Sequence, residues 1–306
     1  MRAFVGVTDG DWFKTLSAQP NLDEVNFWQP GGQRRFIALN AGELFLFKLH
    51  GPADYIAGGG IFSYSTLLPI RLVWEAFGVK NGAQTISEMR KSVEKHRSKT
   101  ISPHEDYTIG CILLSQPFFF RRGAWIPVPS DWSRNIVQGK GYNLDMEPGL
   151  SLWKAVQERL SGFPGILTVK EGQARFGEPI LITPRLGQGS FRVIVTDAYS
   201  RRCAVTGERT LPVLEAVHIR PYSQGGFHEV TNGVLFRSDI HTLFDRGFVT
   251  VDPEYIFEVS RRIREDFENG RDYYALHGSR LIVPEDPKQR PDRNYLSWHN
   301  ESVFLG

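Results

Sequence analysis

EVTNGVLFRSDIHTLFDRG, residues Glu229 to Gly247, decides the fold of the C-terminal half. It is read with the stretch before it, LEAVHIRPYSQGG, Leu214 to Gly226. In the earlier stretch His218 stands between Val217 and Ile219, so an apolar run of strand character ends at an imidazole and enters a Pro/Gly turn. In the later stretch Asn232 and Gly233 make a turn, and RSDIHTLFDRG then reads as a helix ended by Gly247. On that helix His241 and Asp245 are i and i+4. They share one face, about 5–6 Å apart at Cβ, a spacing at which an imidazole and a carboxylate reach one divalent cation. The order is a histidine on a strand, an asparagine in a loop, then a histidine and an aspartate on a helix.

Working outward, 306 residues are enough for two domains, each with its own core. Composition is that of a globular protein, 41% hydrophobic and 23% charged, with 30 Gly and 18 Pro spread along the chain. No apolar run is long enough to span a membrane, and the N-terminus MRAFVGVTDGDW carries an acid where a secretion signal keeps its apolar stretch, so a cytoplasmic location is expected. Cys111 and Cys203, far apart in sequence, suggest neither a disulfide scaffold nor a thiolate zinc site. The net charge of +2 carries no electrostatic footprint for nucleic acid, and from Leu186 onward acids slightly outnumber bases. Whatever brings a polyanion to the C-terminal half must lie elsewhere in the chain.

All but one of the seven tryptophans precede residue 160. The N-terminal part has short apolar or alternating runs, among them ELFLFKL (Glu43 to Leu49) and CILLSQPFFF (Cys111 to Phe120), broken by Gly/Pro turns, which predicts a mostly β unit. Thr85 and Glu88 form a capping box for a helix over Thr85 to His96, with Ile86, Met89 and Val93 on its apolar face, and a second helix covers Leu150 to Leu160. Turn residues recur from Ser161 to Gly189, leaving room for one strand pair, and the domain junction is placed there: 1–165, a connecting region 166–189, and 190–306. Ser190 is the expected N-cap of a helix running to Arg202, and two short strands are expected between Cys203 and Gly226.

The strand, loop and helix around His218 resemble the HNH endonucleases, whose ββα-metal unit is built from these elements in this order. The resemblance covers Arg201 to Asp252 and continues through YYALHGSRLIVPEDPKQRP to LSWHNESVF, similar to the C-terminal extension of one bacterial branch. It implies that His218 is the general base, that Asn232 holds the hairpin and orients the base, and that His241 and Asp245 bind a divalent metal, Mg²⁺ or Mn²⁺. The residue types suit this chemistry: a neutral imidazole accepts a proton from water near neutral pH, and a cation neutralises the departing 3′ oxygen. Two departures stand out. Many members carry a metal-ligating Asp or His just before the base, where this chain has Val217; Glu215, on the same strand face, is the candidate substitute, with water and phosphate as the alternative. Many also bind a structural zinc through two CxxC half-sites, which here read Cys203/Thr206 and Arg237/Ile240, so a packed apolar substitute is expected and no structural zinc. Taken singly, a histidine in an apolar run reads as core, and an i,i+4 His/Asp pair as a surface ion pair; the joint pattern favours the nuclease. His228, in GGFHEV, reads as a solvated turn residue, with a phosphate contact as the alternative, and His277 and His299 as structural.

The opening RAFVGVTDGDWFKTL, the loop VNFWQPGGQ, the strand GELFLFKLH and AGGGIFSYS resemble the EVE and YTH members of the PUA-like superfamily. That resemblance implies an α+β chain with a PUA-like, β-barrel-type N-terminal domain joined to the nuclease, and a cage for a modified base with Trp28 as one wall. Tyr64 and Trp125 are weaker candidates. A free ring in such a pocket stacks on a base lifted from the helix, whereas a core tryptophan only packs. Arg121 and Arg122, beside aromatics in FFFRRGAWIPVP, suit either a phosphate-contacting rim or a charged loop. AGGGIF lacks the Lys-Ser/Thr ending of a phosphate loop and marks a strand bend or close backbone approach. Three functions follow: a modification-dependent DNA endonuclease acting on double-stranded DNA, an HNH nuclease whose first domain only mediates interaction, or a modified-nucleic-acid binder with a degenerate nuclease. A homodimer is compatible with the first, since one HNH unit cuts one strand.

Overall fold

The computed structural model describes residues 1–97, 102, 105–161 and 186–306. The chain divides into two compact units, Met1–Gly187 and Gln188–Gly306. The strand pair expected in the connecting region lies outside the described residues.

The first unit runs β1 (Arg2–Thr8), α1 (Gly10–Ser17), β2 (Glu24–Gln29), β3 (Leu44–Leu49), β4 (Tyr55–Pro69), α2 (Ile70–Phe77), α3 (Ile86–Glu94), β5 (Thr108–Phe119), β6 (Ile126–Pro127), β7 (Gly139–Asn143) and α4 (Gly149–Leu160). Its strands form a mixed sheet in the order β2-β5-β4-β3-β1-β7, with β6 pairing β4 and β1 parallel to β3. Apolar side chains cover both faces. On one, Phe27, Phe45, Phe47 and Phe119 pack with Trp12 of α1, ring to ring; on the other, Val5, Leu46 and Ile61 pack with Leu152, Trp153 and Val156 of α4.

Asp9 caps α1 by accepting from the amides of Asp11 and Trp12. Thr85 caps α3 by accepting from the Glu88 amide, while Glu88 reaches back to the Gln84 amide, one residue earlier than in a standard capping box. The glycines of AGGGIF lie in β4, where a Cβ on Gly59 would stand 2.6 Å from the Phe45 carbonyl oxygen and 2.7 Å from the Phe118 ring. Close backbone approach is therefore their role.

The second unit runs α5 (Gln188–Ala198), β8 (Leu214–His218), β9 (Gly233–Arg237), α6 (Ser238–Asp245), β10 (Val249–Val251), β11 (Phe257–Val259), α7 (Arg262–Phe267), α8 (Arg271–Tyr274) and α9 (Arg293–Ser302). β8 and β9 are antiparallel, His218 opposite Gly233 and Leu214 opposite Arg237. Phe191 and Val195 of α5, Val217, Val234 and Phe236 of the hairpin, Ile240 and Phe244 of α6 and Leu296 of α9 form one core.

Two expectations are corrected. Helix α5 starts before Ser190, which is buried inside its first turn and is not its N-cap. Cys203 to Gly226 holds one strand instead of two, because β8 takes its partner from beyond the long loop, where GVLFR supplies an all-apolar face.

Candidate active site

His218 ends β8 with its ring stacked on Phe191, centroids 3.8 Å apart and planes 11° from parallel. Its Nε2 lies 2.9 Å from Nδ1 of His228, and no described residue hydrogen-bonds its Nδ1. Burial in this aromatic setting disfavours the charged ring, and His228 adds to the effect; against a smaller opposing pull from Asp245, the imidazole pKa falls to about 4. His218 is therefore neutral at physiological pH, as a proton acceptor must be.

The loop after His218 is folded back by Asn232, which is fully buried. Its Oδ1 accepts from the Arg220 amide at 2.9 Å, and its Nδ2 donates to the carbonyls of Arg220 at 2.9 Å and Phe227 at 3.0 Å. Gly226 makes this possible: a Cβ there would sit 1.8 Å from the Arg220 carbonyl oxygen. Asn232 thus holds the backbone on both sides of the turn and acts on His218 through the chain, two residues on.

His241 projects from α6 between two carboxylates. Nδ1 meets Glu215 of β8, and Nε2 lies 3.1 Å from Asp245 one turn on. The Asp245 hydrogen bond, against burial and with help from Glu215, raises the imidazole pKa. Glu215 and Asp245 occupy opposite ring nitrogens, so the three groups surround His241 and do not converge on one point. Among the described residues no group of three or more His, Cys, Asp or Glu is arranged to hold a metal ion.

Val217 is buried in the core. At the positions compared with the two CxxC half-sites, Cys203 and Ile240 are also core residues. The substitute is not wholly apolar, however: the Thr206 hydroxyl accepts from the Glu208 amide, and Arg237 makes a two-pronged ion pair with Asp239, both distances 2.7 Å. The Arg237 guanidinium at the end of β9 thus keeps a charged partner in the first turn of α6.

His277 accepts from the Val259 amide. His299 is buried, stacked on Phe244 and bonded to the Phe244 carbonyl and Thr250, a structural histidine as expected. His228 overturns its expectation. It is half-buried against His218, with the Tyr222 ring stacked on it at 5.3 Å. Its only trace in the sequence is a histidine two residues after the Gly225–Gly226 turn and four before Asn232, a spacing that by itself specifies no contact.

In the first unit the three aromatic candidates are dispersed. Trp28 lies within β2, paired with Cys111 of β5; its ring is 8% exposed and its Nε1 donates to the Asn81 carbonyl at 3.1 Å. The free ring expected in a polar loop is corrected to a packed one. Tyr64 of β4 and Trp125 are half-buried, the latter donating to the Phe120 carbonyl at 3.0 Å. Among the described residues no two of these three rings touch.

Residues 203–252 match the sequence family described as HNH endonuclease. The second unit carries an HNH endonuclease domain. Its ββα unit is β8, β9 and α6, and HNH nucleases generally use a divalent metal. Among solved structures, the chain resembles the modification dependent TagI restriction endonuclease over 98% of this chain and 81% of that one, at 12% identity and a TM-score of 0.28. It resembles ASCH from Zymomonas mobilis over 44% of this chain and 88% of that one, at 12% identity and a TM-score of 0.27. No curated protein matches the chain. No helix among the described residues is long and apolar enough to cross a membrane.

Proposed function

We propose that this chain is a modification-dependent DNA endonuclease that hydrolyses phosphodiester bonds with His218 as general base. One observation carries the reading: a neutral imidazole, braced on Phe191, with one ring nitrogen committed to a neighbour and the other without a described partner, and close enough to Asp245 to feel its charge. A proton from water passes to Nδ1 of His218 as the oxygen attacks phosphorus. Asn232 keeps the base at the end of its strand by holding the loop that follows.

A divalent cation fits the α6 pair. His241 Nε2 and Asp245 are a nitrogen and an oxygen donor on one helix face, and Mg²⁺ and Mn²⁺ accept few protein ligands while keeping water and phosphate oxygens. These two residues would hold it, and when bound it supplies positive charge to the departing 3′ oxygen. Glu215, proposed from the sequence as a ligand, suits a different task. Accepting from Nδ1–H, it turns the His241 ring so that Nε2 is presented beside Asp245, the usual work of a carboxylate behind a metal-binding histidine.

The first unit is proposed to deliver modified double-stranded DNA. The nuclease half has more acids than bases, so phosphate attraction alone does not recruit the polyanion. Recognition then uses Tyr64, Trp125 or another half-buried surface of that unit, since the Trp28 ring is packed. A pair of copies, one for each strand, suits double-strand cutting.

The test is cleavage of matched duplexes carrying cytosine, 5-methylcytosine or 5-hydroxymethylcytosine in Mg²⁺ or Mn²⁺. Cutting confined to a modified duplex is expected. Equal cutting of all three would replace the reader by an interaction module, and metal-replete inactivity on every duplex together with retained binding would indicate a degenerate nuclease.

A further inference from the structure

The hydrolytic reading uses His218 and leaves its partner His228 without a task. The two rings meet through Nε2 of His218 and Nδ1 of His228, 2.9 Å apart, in an edge-to-face arrangement at 64°. Between two neutral imidazoles one proton occupies that contact, so one ring donates and the other accepts. If His228 donated, the single lone pair of neutral His218 would be consumed, and its remaining nitrogen would carry a proton with no acceptor among the described residues. If His218 donates, its Nδ1 keeps a free lone pair. His228 then carries its own proton on Nε2.

The surroundings hold this contact in place. Phe191 backs His218 at 3.8 Å, and Tyr222 backs His228 at 5.3 Å with planes 9° from parallel, so two stacked pairs of rings meet edge to face at the histidines. Asn232 binds the carbonyl of Phe227, the residue before His228, and both backbone polar groups of Arg220, two residues after His218. One buried amide therefore sets the distance between the histidines. The charged or titratable groups acting on His218 are His228 from the loop and Asp245 from α6; Phe191, from α5, is apolar.

We infer that His228 is a positioning residue for hydrolysis: its Nδ1 accepts from Nε2–H of His218 and so fixes His218 in the tautomer whose Nδ1 takes the proton of the attacking water. The inference rests on His218 as the base. In the step, a water O–H bond breaks and its proton goes to His218 Nδ1. The freed oxygen pair forms the bond to phosphorus, and the P–O3′ pair leaves with the departing oxygen. The resulting imidazolium keeps its Nε2–H on His228.

Asparagine places an amide oxygen where histidine has Nδ1, so it can accept without titrating. The experiment compares the full-length wild type with His228→Asn, His228→Ala and His218→Ala, each checked for an unchanged melting transition. Readouts are single-turnover cleavage of the 5-hydroxymethylcytosine duplex in Mn²⁺ across pH, and ring ¹⁵N shifts of histidine-labelled protein without DNA or metal. In the wild type and His228→Asn, His218 is expected to carry its proton on Nε2; in His228→Ala a tautomer mixture is expected. His228→Ala should cut roughly 10–100-fold more slowly, the usual loss when an orienting partner is removed. Its acid limb should move up toward ordinary histidine values, while His228→Asn cuts within about three-fold of wild type by the same argument. A wild-type His218 protonated on Nδ1 overturns the inference, as does His228→Ala with a wild-type rate and pH limb, or His228→Asn as slow as His228→Ala. His218→Ala cutting at the wild-type rate overturns the base assignment itself and the catalytic half of the inference with it, a result separable from the ring shifts, which report on the His218–His228 contact alone.

Discussion

Two stretches of this chain look alike and fold differently. HIRPYSQGG and WQPGGQ each set a large ring at the end of an apolar run and follow it with proline and a glycine pair. At His218 the strand stops, and the loop is folded back on it by Asn232, so the ring ends beside the turn with one nitrogen bonded to His228 and the other without a partner among the described residues. At Trp28 the strand continues to Gln29, paired along β5, and the ring turns inward, where its nitrogen donates to the Asn81 carbonyl beyond α2. The difference lies in what packs against each ring. A segment brought from far along the chain covers Trp28, whereas His218 has its partners in the loop that follows it and in the flanking helices α5 and α6. Chemistry written in several residues at fixed spacing survives translation into structure; a single aromatic beside a turn does not announce its direction.

Substitutions can break that comparison, and the largest effect belongs to the histidine side. His218→Ala should lower cleavage roughly 10²–10⁴-fold, the contribution of a positioned base, with duplex binding and melting temperature close to wild type. Retained cutting at neutral pH and saturating metal would put His218 in the same structural class as Trp28. On the other side, Trp28→Ala should cost about 3–5 kcal/mol of stability through the cavity it leaves. Among molecules that remain folded, the preference for modified over unmodified duplex should be unaltered. Denaturant unfolding and competition binding on the same variant check both halves, and a variant that is stable but has lost the preference would restore Trp28 to a base pocket.

Asn232→Ala sharpens the contrast, because the amide is as buried as the Trp28 ring yet acts on a site. Three backbone groups lose their partner, and about 2–3 kcal/mol of stability should go with them. Unlike Trp28→Ala, this change should also slow cleavage at temperatures where the protein is fully folded. Urea melts alongside single-turnover rates separate the two; a stability loss with a wild-type rate would confine Asn232 to the fold.

How much was legible in the sequence differs by element. The hairpin strand at His218, the helix carrying His241 and Asp245 and the cap of α3 rest on local rules, since an i,i+4 pair, a helix-ending glycine and a capping side chain all act within a few residues. Ser190 misleads because a serine N-cap is a weak signal beside the apolar face of α5, whose first turn is drawn into the core with Phe191. The second strand of the hairpin was sought too early because pairing is satisfied by the best apolar face available, here GVLFR beyond the loop, and not by the nearest run.

The sequence by itself determined the order of the nuclease elements and which side chains stand at the end of β8 and on one face of α6, because each depends on spacing along one helix or one turn. Tertiary structure alone decided that Glu215 meets the Nδ1 side of His241 instead of standing beside Asp245, that Arg237 pairs with Asp239, that Trp28 is packed, and that His228 touches His218. Each of these is a contact between side chains from different elements, made by the packing of a common core, and no periodicity along the chain records which ring nitrogen or which face a distant residue will meet.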